Sequence, residues 1–207
     1  MKALDLFCGA GGVSKGLDDA GFTIIGVDIN YQPRYPYVFI QKDIFKLPIS
    51  FFKDFDFIWA SPPCQRYTQM LNHGLVDRQK YPDYIACVRR LLNRIGKPYC
   101  IENVAHAPLI SPLMLCGEMF KLRVIRHRFF ETNFQIRQPK HKPHQGTCIR
   151  KQNDGGYYYR VYGHETGKRE WKNAMKIQWM KTYELTQAIP PAYAEYIGKY
   201  VLQNNRI

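Results

Sequence analysis

Two rhythms of apolar and polar positions run through the first 130 residues. Short apolar runs at Ala3–Phe7, Thr23–Val27, Val38–Gln41, Asp56–Ala60 and Pro98–Ile101 predict strands. Between them, helical spacing runs from Val13 to Ala20, with Gly21 as its stop. A second helix face covers Asp83–Arg94, with apolar residues at 85, 88, 91, 92 and 95. Short strands alternating with helices imply an α/β fold built on a doubly wound, mostly parallel sheet. Residues 133–182 break this rhythm with Pro139, Pro143, a Gly155-Gly156 turn and the tyrosines 157–159. They read as an insertion. Helical spacing returns over 183–203, around Pro190-Pro191, as a helix closing back on the sheet. The predicted units are therefore 1–132, 133–182 and 183–207.

At the end of each predicted strand stands a polar residue or a turn that could face a ligand, and open α/β sheets bind ligands along that edge. The first strand enters Cys8-Gly9-Ala10-Gly11-Gly12, where glycines let backbone N–H groups approach a ligand. Asp28 after the second strand suits the two hydroxyls of a ribose, and Asp43 after the third suits an adenine amine. Each aspartate has an ordinary alternative as a helix cap. Taken in order, the three features describe an adenosine-bearing cofactor.

The fourth strand runs into Ser61-Pro62-Pro63-Cys64-Gln65. The two prolines stiffen the exit and fix the direction of the next side chain, a thiol. A thiol attacks only as thiolate, so it needs a polar or electropositive site. Glu102-Asn103-Val104 ends the neighbouring strand, and Arg126-x-Arg128, expected on a later strand, could orient a bound base. Cys87, Cys100 and Cys116 read as buried structural cysteines.

Composition narrows the setting. A chain of 207 residues with 45% apolar and 23% charged positions holds a full core as one domain with an insertion. No uncharged apolar run approaches the length of a membrane span. The six cysteines form no C-x-x-C pair, so reduced thiols and a cytoplasmic site are expected. The net charge of +13 is uneven, with eleven Lys/Arg against three acidic residues in 133–182. This basic excess is interleaved with Phe134, Tyr157, Tyr158, Tyr159, Tyr162, Trp171 and Trp179, a combination suited to phosphates and stacked bases. The alternative is a small subdomain whose aromatics are its own core. His141, His144, Cys148 and His164 fit no common zinc spacing and read as surface residues, so no metal is expected.

The runs Asp5-Leu6-Phe7-Cys8-Gly9-Ala10-Gly11-Gly12, Ser61-Pro62-Pro63-Cys64-Gln65, Glu102-Asn103-Val104 and Arg126-His127-Arg128 resemble, in this order, the motifs of DNA cytosine-5 methyltransferases. The likeness covers most of 1–131 and the closing helix, and suggests a small, phage-type member. It implies the class I S-adenosylmethionine-dependent methyltransferase fold, with S-adenosylmethionine as cofactor. Phe7 and the loop Cys8, Gly9, Ala10, Gly11 and Gly12 would flank the methionine moiety and adenine. Asp28 with Ile29 would hold the ribose and Asp43 with Ile44 would border the adenine, while Pro62, Gln187 and Ala188 complete the cofactor set.

By the same resemblance Cys64 attacks the pyrimidine, Glu102 pairs with its Watson–Crick edge, Arg128 contacts the base carbonyl and Arg126 supports the loop. The target cytosine must leave its stack to reach the thiol. A cysteine after Ser-Pro-Pro speaks against amino-methyltransferases. The expected partner is double-stranded DNA, held by Gln65, Arg150, Lys151, Tyr158 and Arg160. RNA is the rival acceptor, and a catalytically silent nucleic-acid-binding protein is the rival class. Two positions depart from the family pattern: Val124 replaces the usual glutamine, and Gln187-Ala188-Ile189 stands where an asparagine-led motif is common. The segment 133–182 corresponds to a much shortened target-recognition region.

Overall fold

A computed structural model describes residues 1–67, 80–144, 146, 157–161 and 169–204. Its centre is a seven-stranded sheet of β1 (Lys2–Leu6), β2 (Thr23–Asp28), β3 (Val38–Gln41), β4 (Phe57–Ala60), β5 (Tyr99–Asn103), β6 (Leu113–Leu115) and β7 (Arg128–Thr132). The strand order is β3-β2-β1-β4-β5-β7-β6. The first five strands are parallel, and β7 alone runs antiparallel to its neighbours β5 and β6. This is the doubly wound, mostly parallel sheet of class I S-adenosylmethionine-dependent methyltransferases. The chain reverses its winding between β1 and β4, which opens a crevice at their carboxyl ends.

Helices cover both faces, which explains why β4 and β5 are buried at every position instead of alternating. On one face α1 (Gly12–Ala20) and α6 (Pro191–Asn204) pack Val13, Leu17, Tyr193, Ala194, Ile197 and Val201 over Phe57, Trp59 and Phe130. The two helices touch closely because Gly16 carries no side chain: a Cβ there would lie 2.0 Å from the Pro191 carbonyl oxygen. On the other face α3 (Tyr84–Ile95) sets Val88 and Leu92 against Leu4, Leu6, Ile58 and Ile101. The stop predicted at Gly21 is real: its φ of 108° is left-handed, and its N–H closes the last turn of α1.

Several elements differ from the sequence-based reading. A one-turn helix α2 (Ile49–Phe52) and the three-residue β6 are too short for periodicity to reveal. Within 133–182 lies a helix, α4 (Arg169–Met175). The closing segment is two helices, α5 (Thr182–Gln187) and α6, separated at Ala188–Pro190. Arg126 is not on a strand, since β7 begins only at Arg128.

The segment that broke the rhythm does not project as a free module. Val161, Trp171, Ala174, Met175, Ile177 and Met180 share a core with Ala10 of the glycine turn and with Leu122, Val124 and Leu185. Phe134 packs against Phe57, with ring centroids 6.1 Å apart. Among the described residues no helix is long and apolar enough to cross a membrane.

Candidate active site

The glycine turn is held from three sides. The Gly9 amide donates to Asp28 Oδ2 at 3.1 Å, Trp179 Nε1 donates to the Ala10 carbonyl at 2.8 Å, and Ala188 packs on Gly12. A Cβ on Gly12 would meet the Ile189 carbonyl oxygen at 2.9 Å, so a side chain here would push the closing segment away. A Cβ on Gly9, in contrast, would meet nothing within 4 Å, which leaves the backbone there open to a ligand. Phe7, at the tip of β1, has a φ of 59° and lies beside Tyr84, ring centroids 6.3 Å apart. Tyr84 in turn stacks on Phe45, 6.1 Å away and 14° from coplanar. Phe45 and Ile29 are unusually exposed for apolar side chains, at 42% and 60%. Together they form an apolar rim on the edge where Asp28 and Asp43 stand.

Asp28 is buried and accepts from the Gly9 amide and, at 2.9 Å, from the Asn30 amide. A carboxylate offers about four acceptor sites, so two remain for a diol. Asp43 is half-buried and also caps the turn Ile44–Lys46, accepting from the Phe45 amide at 3.0 Å. Ile44 is buried beneath it. On β1, Asp5 is fully buried and accepts from the Ser14 hydroxyl of α1 at 2.5 Å. Burial pushes its carboxyl up to about 7. Its Oδ1 has no partner among the described residues. An open glycine cradle, a diol-competent carboxylate and an apolar rim fit the adenosine-bearing cofactor. Gln187 is exposed and Pro62 buried at the ends of this crevice.

Across the reversal point, β4 and β5 lie side by side, so Cys64 and Glu102 share one edge. Asn103 Nδ2 donates to the Pro62 carbonyl at 2.9 Å, and Trp59 Nε1 donates to Ser61 Oγ at 3.0 Å. These bonds lock the loop that carries the thiol. Glu102 is 8% exposed and pairs with Arg128, whose Nε lies 3.2 Å from Oε1. Burial pushes the Glu102 carboxyl up, with Arg128 opposing. Burial and the Glu102 charge likewise push the Cys64 thiol up, with Arg128 pulling it down. Arg128 thus faces both groups and opposes the effect of burial on each.

Arg126, expected to support its loop, is held among backbone carbonyls. Its Nη1 donates to the Val161 carbonyl and its Nη2 to the Thr186 carbonyl, both at 2.7 Å. It is 6% exposed, and burial pulls its guanidinium down to about 9. The Tyr193 hydroxyl fixes its backbone carbonyl at 2.7 Å. Arg126 thus bolts the loop before β7 to the basic segment and to α5.

The expected nucleic-acid residues fare unevenly. Gln65 is exposed next to Cys64, and Arg160 is exposed. Tyr158 is a correction: at 5% exposed it packs against Tyr157 and His144 and offers no face for stacking. Trp171 is buried in the core with the glycine turn. Arg150 and Lys151, with Cys148, Tyr162, His164 and the Gly155-Gly156 turn, lie outside the described residues. Missed by the sequence reading was a cavity of about 380 Å³ lined by Lys121, Arg123, Tyr157, Tyr159 and Lys176 among others. Arg123 lies over Tyr157 at 4.8 Å and Tyr159 at 5.6 Å. Arg123 was visible only as part of a basic loop, and Lys176 lay fifty-odd residues away.

Known proteins share both pattern and fold. A Methanocaldococcus jannaschii protein named for a type II methyltransferase is 37% identical over 82 residues, covering 33% of this chain and 26% of that protein. The chain thus matches about a quarter of that relative's length. An E. coli prophage protein assigned as a DNA modification methyltransferase superposes with a TM-score of 0.66 at 17% identity, over 99% of each chain. S. pombe Dnmt2 methyltransferase gives 0.66 at 12% identity, over 100% of this chain and 99% of that one. These superpositions establish the fold, whose members, like the family, use S-adenosylmethionine as methyl donor. The profile of C-5 cytosine-specific DNA methylases matches residues 1–107, and the chain belongs to that family.

Proposed function

We propose that this protein methylates carbon 5 of a flipped cytosine in double-stranded DNA through a covalent bond to Cys64. The observation that carries the reading is the Cys64 thiol beside the buried Glu102–Arg128 pair, on the edge shared by β4 and β5. Bound S-adenosylmethionine supplies an electrophilic methyl group. Its adenosine would be held by Asp28, Asp43, Ile29, Ile44 and Phe7, its methionine end by residues 8–12, with Pro62 and Ala188 closing the crevice.

Carbon 5 of cytosine is too poor a nucleophile to react unaided. The Cys64 thiol gives its proton to solvent, its sulfur bonds to carbon 6, and electron density moves through the ring toward nitrogen 3. Glu102, held toward its protonated form by burial, donates a hydrogen bond at nitrogen 3. Arg128 keeps Glu102 oriented and offers its remaining donors to the base carbonyl. Carbon 5 thereby becomes the nucleophile. After methylation a solvent base takes the carbon 5 proton, the 5,6 double bond re-forms and the thiolate leaves, which restores Cys64.

Residues 1–132 and 183–207 supply the chemistry in this reading, and 133–182 supply recognition. The basic cavity with Lys121, Arg123 and Lys176 extends that surface toward the phosphate backbone.

Duplex DNA carrying 5-fluorocytosine, incubated with protein and S-adenosylmethionine, should form a complex that survives denaturing gels, because the fluorine blocks release. Cys64→Ala should abolish it. Trapping that persists in Cys64→Ala would remove Cys64 from its role. Trapping of a 5-fluorocytosine RNA but not of the duplex would change the acceptor.

A further inference from the structure

Four soft or borderline ligand side chains converge beyond the catalytic crevice, at the open end of the β6–β7 pair. Cys116 directly follows β6, and His127 directly precedes β7, with Leu115 and Arg128 in register between them. His141 and His144 come from the segment that returns after β7. One donor atom from each of the four lies within 4.8 Å of every other. Cys116 Sγ and His144 Nε2 are 3.3 Å apart, and the Nε2 atoms of His141 and His144 are 3.1 Å apart.

Hydrogen bonding alone does not account for this arrangement. A ring nitrogen carries either one proton or one lone pair, yet His144 Nε2 faces both a thiol and a second imidazole. A single cation satisfies all four donors at once. Tetrahedral zinc, with bonds of about 2.0–2.1 Å to nitrogen and 2.3 Å to sulfur, requires donors about 3.3–3.6 Å apart. Two of the separations are already close to that value.

We propose that Cys116, His127, His141 and His144 bind one zinc ion in a closed, structural site. On binding, Cys116 loses its thiol proton to solvent, and the three imidazoles bind as neutral ligands. With four protein ligands the ion has no open position, so it is a staple and not a Lewis acid for the reaction. His127 lies between Arg126 and Arg128. The ion therefore anchors the loop that carries both arginines to the chain leading into the basic segment. The expectation of surface histidines and no metal rested on local spacing, and the four ligands are gathered by strand pairing instead.

The test uses the full chain without a histidine tag, expressed with added zinc and dialysed against a weak chelator, with metal content read by mass spectrometry. One equivalent of zinc is expected for the wild type. His141→Ala, at an exposed position, should retain zinc at least tenfold less tightly while folding normally by circular dichroism. Cobalt in place of zinc should give the intense visible bands of a tetrahedral centre with a sulfur-to-metal charge-transfer band, and Cys116→Ser should remove the latter. A wild type that holds no zinc after reconstitution would overturn the site. So would zinc held equally by His141→Ala, or a cobalt spectrum indifferent to Cys116→Ser. None of these readouts depends on methyl transfer.

Discussion

Asn103 donates from its amide to the Pro62 carbonyl at 2.9 Å, and both groups are buried. This bond joins the loop carrying Cys64 to the strand carrying Glu102, so the proposed nucleophile and its proposed acid partner are held together. Asn103 acts through this bond on the loop that carries the thiol. It is a positioning residue.

Removing that bond should therefore affect rate before affinity. Asn103→Ala is expected to lower kcat on the order of a hundredfold, the scale for misplacing reacting groups by an ångström. It should cost about 1–3 kcal/mol of stability for the orphaned carbonyl. KM for DNA and the Kd for S-adenosylmethionine should hold. Steady-state kinetics with calorimetric titration checks this, and a loss confined to KM would contradict it.

The Cys64 thiol is pushed up by burial first and by Glu102 second, against the pull of Arg128. Alkylation of Cys64 in the free protein should accordingly rise with pH and reach its midpoint above the ordinary thiol value of about 8.5. Glu102→Gln removes the neighbouring negative charge and should move the midpoint down. Peptide mass spectrometry after timed iodoacetamide treatment reads it. A midpoint at or below the ordinary value would mean that the free site already holds the thiolate.

Asp5 makes stability depend on pH. Its carboxyl is pushed from 3.8 up to about 7 by burial, so the folded state favours the proton. The sign follows: stability from this group is full below about pH 4, falls as pH rises toward 7, and is flat above. The span is at most about 4 kcal/mol. Asp5→Asn keeps an acceptor for Ser14 and should lack the decline, unfolding at higher urea than the wild type at pH 8. Parallel curves for the two proteins across this range would refute the effect.

Lys121 and Lys176 both adopt left-handed backbone, with φ of 57° and 59°. Asparagine tolerates that conformation, so Lys121→Asn with Lys176→Asn removes two charges with little backbone cost. If both face phosphates, the slope of log affinity against log salt should flatten by about 1.8 on duplex DNA. Affinity for S-adenosylmethionine should hold, because none of its proposed contacts lines this cavity. Anisotropy titrations at several salt concentrations decide it, and an unchanged slope would move the DNA face elsewhere.

The sequence by itself determined the parallel half of the sheet and which residues end its strands. Apolar runs and glycine stops are local, and Asp28, Asp43, Cys64 and Glu102 occupy strand ends wherever the strands pack. It also carried the family motifs, because each lies within one strand and its turn. Only the tertiary structure decided what the antiparallel edge does. Pairing of β7 with β5 and β6 is set by contacts far apart in the chain, and no local periodicity encodes its register. That pairing turns Arg126 toward the Val161 and Thr186 carbonyls, 35 and 60 residues away. Tertiary packing also buries Tyr158 and Trp171, which no local pattern reveals, since an aromatic in a basic segment reads equally as a stacking platform or as core until its neighbours are known. It also gathers Cys116, His127, His141 and His144 into one cluster. A donor set drawn from both ends of a strand pair and a returning loop has no spacing rule, because its geometry exists only once the chain has folded.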